Sequence, residues 1–96
     1  MIKEEAIERY FKRKVEEAGG ITRKVAWRAV NGAPDRLAMF PRTGRHAYVE
    51  LKEASQPWGL QPQQEREHLR MKASGMDVRV IELRNEVDAF VEEMSR

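Results

Sequence analysis

Three polar residues could do chemistry together. Asp35 follows a proline at the start of a short apolar run, and Glu50 and Lys52 stand two apart in Val49-Glu50-Leu51-Lys52. Side chains two apart on a strand share a face, so Glu50 and Lys52 project together. If the two runs pair as an antiparallel hairpin, the start of the first faces the end of the second, and Asp35 meets Glu50. Two carboxylates converging there, with the Leu51 main-chain carbonyl beside them, form an oxygen-rich site of the kind that Mg²⁺ or Mn²⁺ prefers. A lysine two residues on can hold a water at such an ion and steady a phosphate, which is the equipment of phosphodiester hydrolysis. Taken singly, a Pro-Asp pair usually makes a turn and Glu-x-Lys on a strand is usually a solvated ion pair. The combination, with Val49 and Leu51 at alternate positions, is what points to a site.

The elements that position these residues follow from periodicity. Ile7, Tyr10, Phe11, Val15 and Ala18 recur at helical spacing, and Gly19-Gly20 ends that helix. Residues 21–27 read as a strand by β-branched and aromatic content. Asn31-Gly32-Ala33-Pro34 is dense turn chemistry and sets a tight loop before Asp35. Residues 37–40 and 46–52 are strand-like and are joined by a connection of hairpin length. Residues 53–59 read as a loop holding Trp58, whose ring could stack on a splayed base or pack over the core. Pro62 suits the first turn of a second helix running to about residue 74 and ended by Gly75. Val78, Val80 and Ile81 make a short strand, and Val87, Phe90, Val91 and Met94 fall at i, i+3, i+4, i+7 on a last helix. The order is αβββαβα, an α/β fold with a mixed sheet flanked by helices.

Ninety-six residues suit one domain, residues 1–96. Eighteen Lys and Arg against sixteen Asp and Glu give +2, which excludes a bulk polycation that coats nucleic acid by charge alone. The charge is unevenly spread. Residues 19–52 hold seven basic and two acidic side chains, while residues 75–96 hold three basic and six acidic ones. Such asymmetry suits a domain that turns one face to a polyanion. Lys24, Arg36, Arg42 and Arg45 are therefore candidate phosphate contacts. The absence of cysteine excludes disulfides and thiolate metal sites. No stretch approaches the roughly 20 apolar residues of a membrane span, and the first residues lack a signal peptide's apolar run, so a cytoplasmic protein is expected.

The residues Gly32-Ala33-Pro34-Asp35-Arg36-Leu37 followed by Val49-Glu50-Leu51-Lys52 resemble the motifs of the PD-(D/E)xK nuclease superfamily, and in particular its VRR-NUC (virus-type replication-repair nuclease) family. The resemblance spans essentially the whole chain. Glu4-x-x-Ile7-Glu8 is similar to the family's N-terminal acidic motif, Gly19-Gly20 followed by Lys24 to its first strand, and Leu60-x-Pro62-x-Gln64 to the motif opening its second helix. Gln61 stands where the family often shows serine. The resemblance implies a restriction-endonuclease-like core in which Asp35 and Glu50 bind Mg²⁺ or Mn²⁺, Lys52 is the catalytic lysine and Gln64 supports the site. It also implies that Glu4 completes the acidic cluster, with Glu5 and Glu8 as competitors for that role. Gln64 and His68 lie one helical turn apart and share a face; His68 reads as structural or near the nucleic acid.

The expected function is a metal-dependent DNA endonuclease, selective for branched DNA in the manner of Holliday-junction resolvases, and located in the host cytoplasm if phage-encoded. A homodimer is expected, since two-fold symmetry sets two sites on two strands, and the amphipathic helices are the expected source of its interface. Two alternatives stand beside it: a monomeric flap or nicking nuclease, and a non-catalytic nucleic-acid-binding module on the same fold.

Overall fold

The computed structural model describes residues 4–52 and 59–96, with the side chains of Glu4 and Glu5 outside that description. Trp58 and most of its loop lie outside the described residues. The first helix, α1 (Glu4–Glu17), forms because Ile7, Phe11 and Val15 repeat every four residues, and all three are at most 1% exposed. The chain leaves it through Gly19 in the left-handed region (φ 81°), after which the Gly20 amide donates to the Val15 carbonyl at 2.8 Å. A Cβ on Gly20 would lie 2.8 Å from the Met39 carbonyl oxygen, so only glycine lets the helix end sit this close to the sheet.

Four strands follow in the order of the chain: β1 (Ile21–Lys24), β2 (Arg36–Phe40), β3 (Arg45–Leu51) and, after α2 (Pro62–Ala73), β4 (Val78–Ile81). The first three pair antiparallel and β4 joins β3 in parallel, before α3 (Arg84–Met94) closes the fold. This is the expected αβββαβα mixed sheet. The β2–β3 register pairs Arg36 with Val49. Asp35 immediately precedes that last pair on one side and Glu50 immediately follows it on the other.

Alternation divides β3 cleanly. Ala47, Val49 and Leu51 are buried against α1 and α3, while Tyr48 and Glu50 point to the other face. Phe90 of α3 is the aromatic hub of the core, with ring centroids 5.9 Å from both Phe11 and Phe40. Truncating it to alanine should cost about 3–5 kcal/mol.

Two expectations change here. The first strand stops at Lys24 instead of reaching residue 27. The Val25 amide makes one more bond, to the Asp35 carbonyl at 2.8 Å, and the chain then turns over the sheet. Trp27 is held there, its Nε1 donating to the Pro34 carbonyl at 2.8 Å and its ring 5.4 Å from that of Tyr48. The apolar stripes of α1 and α3 are consumed by the core, so neither offers the interface expected of an amphipathic helix. Among the described residues, no helix is long and apolar enough to cross a membrane.

Candidate active site

The site is built at the carboxyl end of β3. Glu50 leaves the sheet on the face away from α1 and α3, its side chain only 12% exposed, and Lys52 beside it is 16% exposed. Their charges are separated by 3.8 Å between Lys52 Nζ and Glu50 Oε2. Between them stands Gln64, from the first turn of α2. Lys52 Nζ donates to Gln64 Oε1 at 2.9 Å, and Gln64 Nε2 points at Glu50 Oε2 at 3.4 Å. A neutral amide thus presents its acceptor to the cation and its donor to the anion, which fixes the orientation of both. The same Oε1 also accepts the Gln61 backbone amide at 3.0 Å. That bond satisfies one of the orphan donors at the start of α2, so the helix cap and the lysine share one oxygen. The β3–β4 pairing anchors the lysine's backbone, since the Lys52 amide donates to the Ile81 carbonyl at 2.9 Å.

Asp35 ends the loop that leads into β2. It is placed by the register and held by its neighbour: Arg36 Nη1 lies 3.5 Å from Asp35 Oδ2, and Arg36 Nη2 lies 2.6 Å from Glu8 Oε1. The Arg36 side chain is only 7% exposed, whereas Asp35 and Glu8 are 44% and 41% exposed. The buried guanidinium therefore ties α1 to the acidic corner.

Comparison with known proteins places the whole chain in a family. No protein-family model matches the chain. A protein named "Putative nuclease p44", from Acyrthosiphon pisum secondary endosymbiont phage 1, is 35% identical over 82 residues, 85% of either chain. A solved VRR_NUC domain superposes on 96% of this chain, and on 97% of its own, with a TM-score of 0.82 and 34% identity. The chain belongs to the VRR-NUC family.

Within this VRR-NUC domain, the positions taken from the family motifs fall into two groups. Glu50, Lys52 and Gln64 touch, and Asp35 immediately precedes the Arg36–Val49 pair that Glu50 follows. Glu4 begins α1, but its side chain lies outside the described residues. Glu8 occupies the contact with Arg36. The four basic candidates separate as well. Lys24 pairs with Arg36 across β1 and β2 and lines, with Glu8 and Arg36, a cleft of about 280 Å³ at the same end of the sheet. Arg42 sits in the hairpin turn, and Arg45 after it lies five strand positions from Glu50, or about 16 Å at about 3.3 Å per residue. Arg45 Nη1 donates to the Glu93 carbonyl at 2.8 Å. Arg36, expected as a phosphate contact, has a buried side chain: Nη2 pairs with Glu8, while Nη1, 3.5 Å from Asp35 Oδ2, has no hydrogen-bond partner among the described residues.

Two features behind the site are not evident from motifs alone. Gly32 has φ 89°, and a Cβ there would lie 2.7 Å from the Gln63 carbonyl oxygen. The loop leading to Asp35 therefore presses directly on the turn of α2 that carries Gln64. His68, one turn further along α2, is 3% exposed, and neither ring nitrogen has a hydrogen-bond partner of ordinary geometry among the described residues, although the Gly32 backbone faces the ring. Burial, and then the charges of Lys72 and Lys52, push its proton affinity below the ordinary imidazole value.

A hard divalent cation fits the donor set by chemistry. Asp35 and Glu50 would supply carboxylate oxygens and Leu51 a main-chain carbonyl. Among the described residues, no group of three or more His, Cys, Asp or Glu gathers. Two carboxylates with water and substrate phosphate completing the shell are the usual provision for Mg²⁺.

Proposed function

We propose that this chain is a divalent-metal-dependent endonuclease that hydrolyses DNA phosphodiester bonds and prefers branched or junction DNA. The observation that carries the reading is the Glu50–Gln64–Lys52 network set across the hairpin from Asp35. Asp35, Glu50 and the Leu51 carbonyl hold Mg²⁺ or Mn²⁺, which when bound supplies a polarised water and neutralises charge on the phosphate. Lys52 keeps a fixed positive charge where the phosphate gains negative charge, and among the described residues its one hydrogen bond, to Gln64, leaves donor capacity for the substrate. Gln64 orients both charges, its amide oxygen on Lys52 and its amide nitrogen facing Glu50 beside their own 3.8 Å contact. Lys24, in the cleft beside Glu8, contacts phosphate of the same DNA.

The domain offers little surface for reading bases, so selectivity rests on DNA shape. Junction cleavage needs two symmetric cuts, and a homodimer supplies them. The apolar surface proposed for it is the outer face of β1 to β3, around Ile21, Leu37, Met39 and Tyr48, since the stripes of α1 and α3 are buried.

The test is a panel of four-way, flapped, nicked and linear DNAs incubated with Mg²⁺, Mn²⁺ or EDTA, with light scattering on the same sample. Paired cuts on opposing strands of the junction, abolished by EDTA, are expected from a species of twice the monomer mass. A monomer that trims flaps and ignores junctions would replace the junction reading. Binding without cleavage under every condition would leave a non-catalytic module.

A further inference from the structure

Four residues of α1, Ala6, Arg9, Tyr10 and Arg13, fall at i, i+3, i+4 and i+7 and share one face of the helix. Together with Arg84, the first residue of α3, they line a single cleft. The guanidinium carbons of Arg13 and Arg84 lie 5.2 and 5.1 Å from the centre of the Tyr10 ring. The ring is fixed in turn by its hydroxyl, which donates to Asp88 Oδ1 at 2.6 Å. Stacking on an aromatic face orients a guanidinium while leaving its N–H groups open to a ligand. Among the described residues Arg9 and Arg84 form no ion pair, and Arg13 has only a 3.7 Å contact to Glu17 with both side chains well exposed. Two arginines stacked on one tyrosine, with Arg9 lining the same cleft and Asp88 engaged by the tyrosine hydroxyl, gather three cations that form no close ion pair within the cleft among the described residues, a pre-oriented anion site.

Its place in the fold indicates which anion. Arg9 follows Glu8, the partner of Arg36 beside Asp35. Arg84 begins the helix that leaves β4, the strand whose Ile81 carbonyl accepts the Lys52 amide. The cluster therefore lies at the same end of the sheet as the acidic site, on its helical side, whereas Arg42 and Arg45 occupy the opposite end. We infer that Arg9, Arg13 and Arg84 bind backbone phosphates of the DNA that lies across this end of the sheet, flanking the bond held at Asp35 and Glu50. This rests on the nuclease reading for its ligand, but its test reads binding alone.

The full chain is titrated in EDTA onto a fluorescent duplex of about 20 base pairs, about two helical turns, over a series of salt concentrations. The triple variant Arg9→Gln/Arg13→Gln/Arg84→Gln should weaken binding at least tenfold at low salt. It should also flatten the plot of log affinity against log salt by about 2 to 3, at about 0.9 for each phosphate no longer neutralised. Arg84→Gln alone should flatten it by about 0.9, which serves if the triple variant melts early. Arg70, exposed on α2 and paired with Glu67, is the control, and Arg70→Gln should keep the parent slope. If both arginine variants keep the parent affinity and slope, the cluster is not a phosphate site, whatever the protein cleaves. If the slopes fall as expected and no DNA is cut under any metal, the cluster stands and the nuclease reading falls.

Discussion

The starts of α2 and α3 use the same device with different outcomes. In each, the side chain three residues into the helix reaches back to an unpaired backbone amide. Glu86 Oε1 accepts the amides of Glu82 and Leu83, both at 2.9 Å, and its work ends there. Gln64 Oε1 accepts the amide of Gln61 and then, with the same oxygen, the Lys52 ammonium. The chemistry of the side chain explains the difference. A carboxylate only accepts and brings a full negative charge, which suits a helix N-terminus on the surface. An amide accepts at one end and donates at the other, so it can sit between a lysine and a glutamate without adding charge to either. One cap is structural; the other couples a helix to the site.

The largest break in this comparison comes from removing what the α2 cap holds. Lys52→Ala should lower the cleavage rate by about 10²–10³, the usual worth of one electrostatic contact to a transition state, with metal binding and melting temperature close to the parent's. Cleavage at the parent rate would dismiss Lys52 from the mechanism. Gln64→Glu is the sharper probe, because it keeps the capping oxygen and replaces the donor facing Glu50 with negative charge. It should lower activity by about 10- to 100-fold, the range for a group that orients metal ligands, while the helix stays capped. Glu86→Ala should do the reverse, costing about 1 kcal/mol of stability as removal of a cap does and leaving the rate alone. Melting curves and single-turnover rates on the two variants separate the roles; matching losses in both readouts would erase the distinction.

The order and type of all seven elements are legible from periodicity and turn residues, and so is the meeting of Glu50 with Lys52, because period-2 geometry leaves a strand no choice. That Asp35 and Glu50 flank the Arg36–Val49 pair follows from the hairpin once its register is set. Roles decided by tertiary partners are not legible. Arg36 looks like any basic residue near a turn, and only the packing of α1 shows it buried between Glu8 and Asp35. The early end of β1 has the same cause, since Trp27 has strand propensity but finds Pro34 and Tyr48 instead of a ladder partner. The arginine cluster is hidden because Arg84 is 74 residues from Tyr10 in the chain. A signal does exist in the spacing of Arg9, Tyr10 and Arg13 on one helix face.

A smaller perturbation enters from behind the α2 cap. Gly32 presses its α-carbon on the backbone of Gln63 and Gln64 in a conformation that side chains resist. Gly32→Ala should cost about 1–3 kcal/mol, the range for a residue held in a sparsely populated backbone region, and the loop must lift away from α2. Activity should fall by more than the stability loss explains at a temperature where the variant is fully folded. Denaturant melts alongside rates at that temperature test this, and an active, equally stable Gly32→Ala would show that the close approach does not position the site.

The mildest effect concerns the inner face of α2. His68 is buried without a hydrogen-bond partner of ordinary geometry among the described residues, and the fold lowers its proton affinity below the ordinary value of 6.5 through burial first and then Lys72 and Lys52. Below that pH the unfolded chain takes up a proton that the folded chain resists. Stability therefore falls as pH drops through the unfolded value, and levels off once the folded imidazole protonates as well. Urea midpoints measured between about pH 7.5 and pH 5, either side of the imidazole range, should decline for the parent and decline less for His68→Leu. Glu93 does not blur this window, because Arg79 holds its carboxyl below the ordinary carboxylate value and its contribution is lost only at more acidic pH. Parallel pH profiles for the parent and His68→Leu would place the titration elsewhere. A leucine variant that is flat in this window yet cleaves DNA normally would confine His68 to the packing of α2.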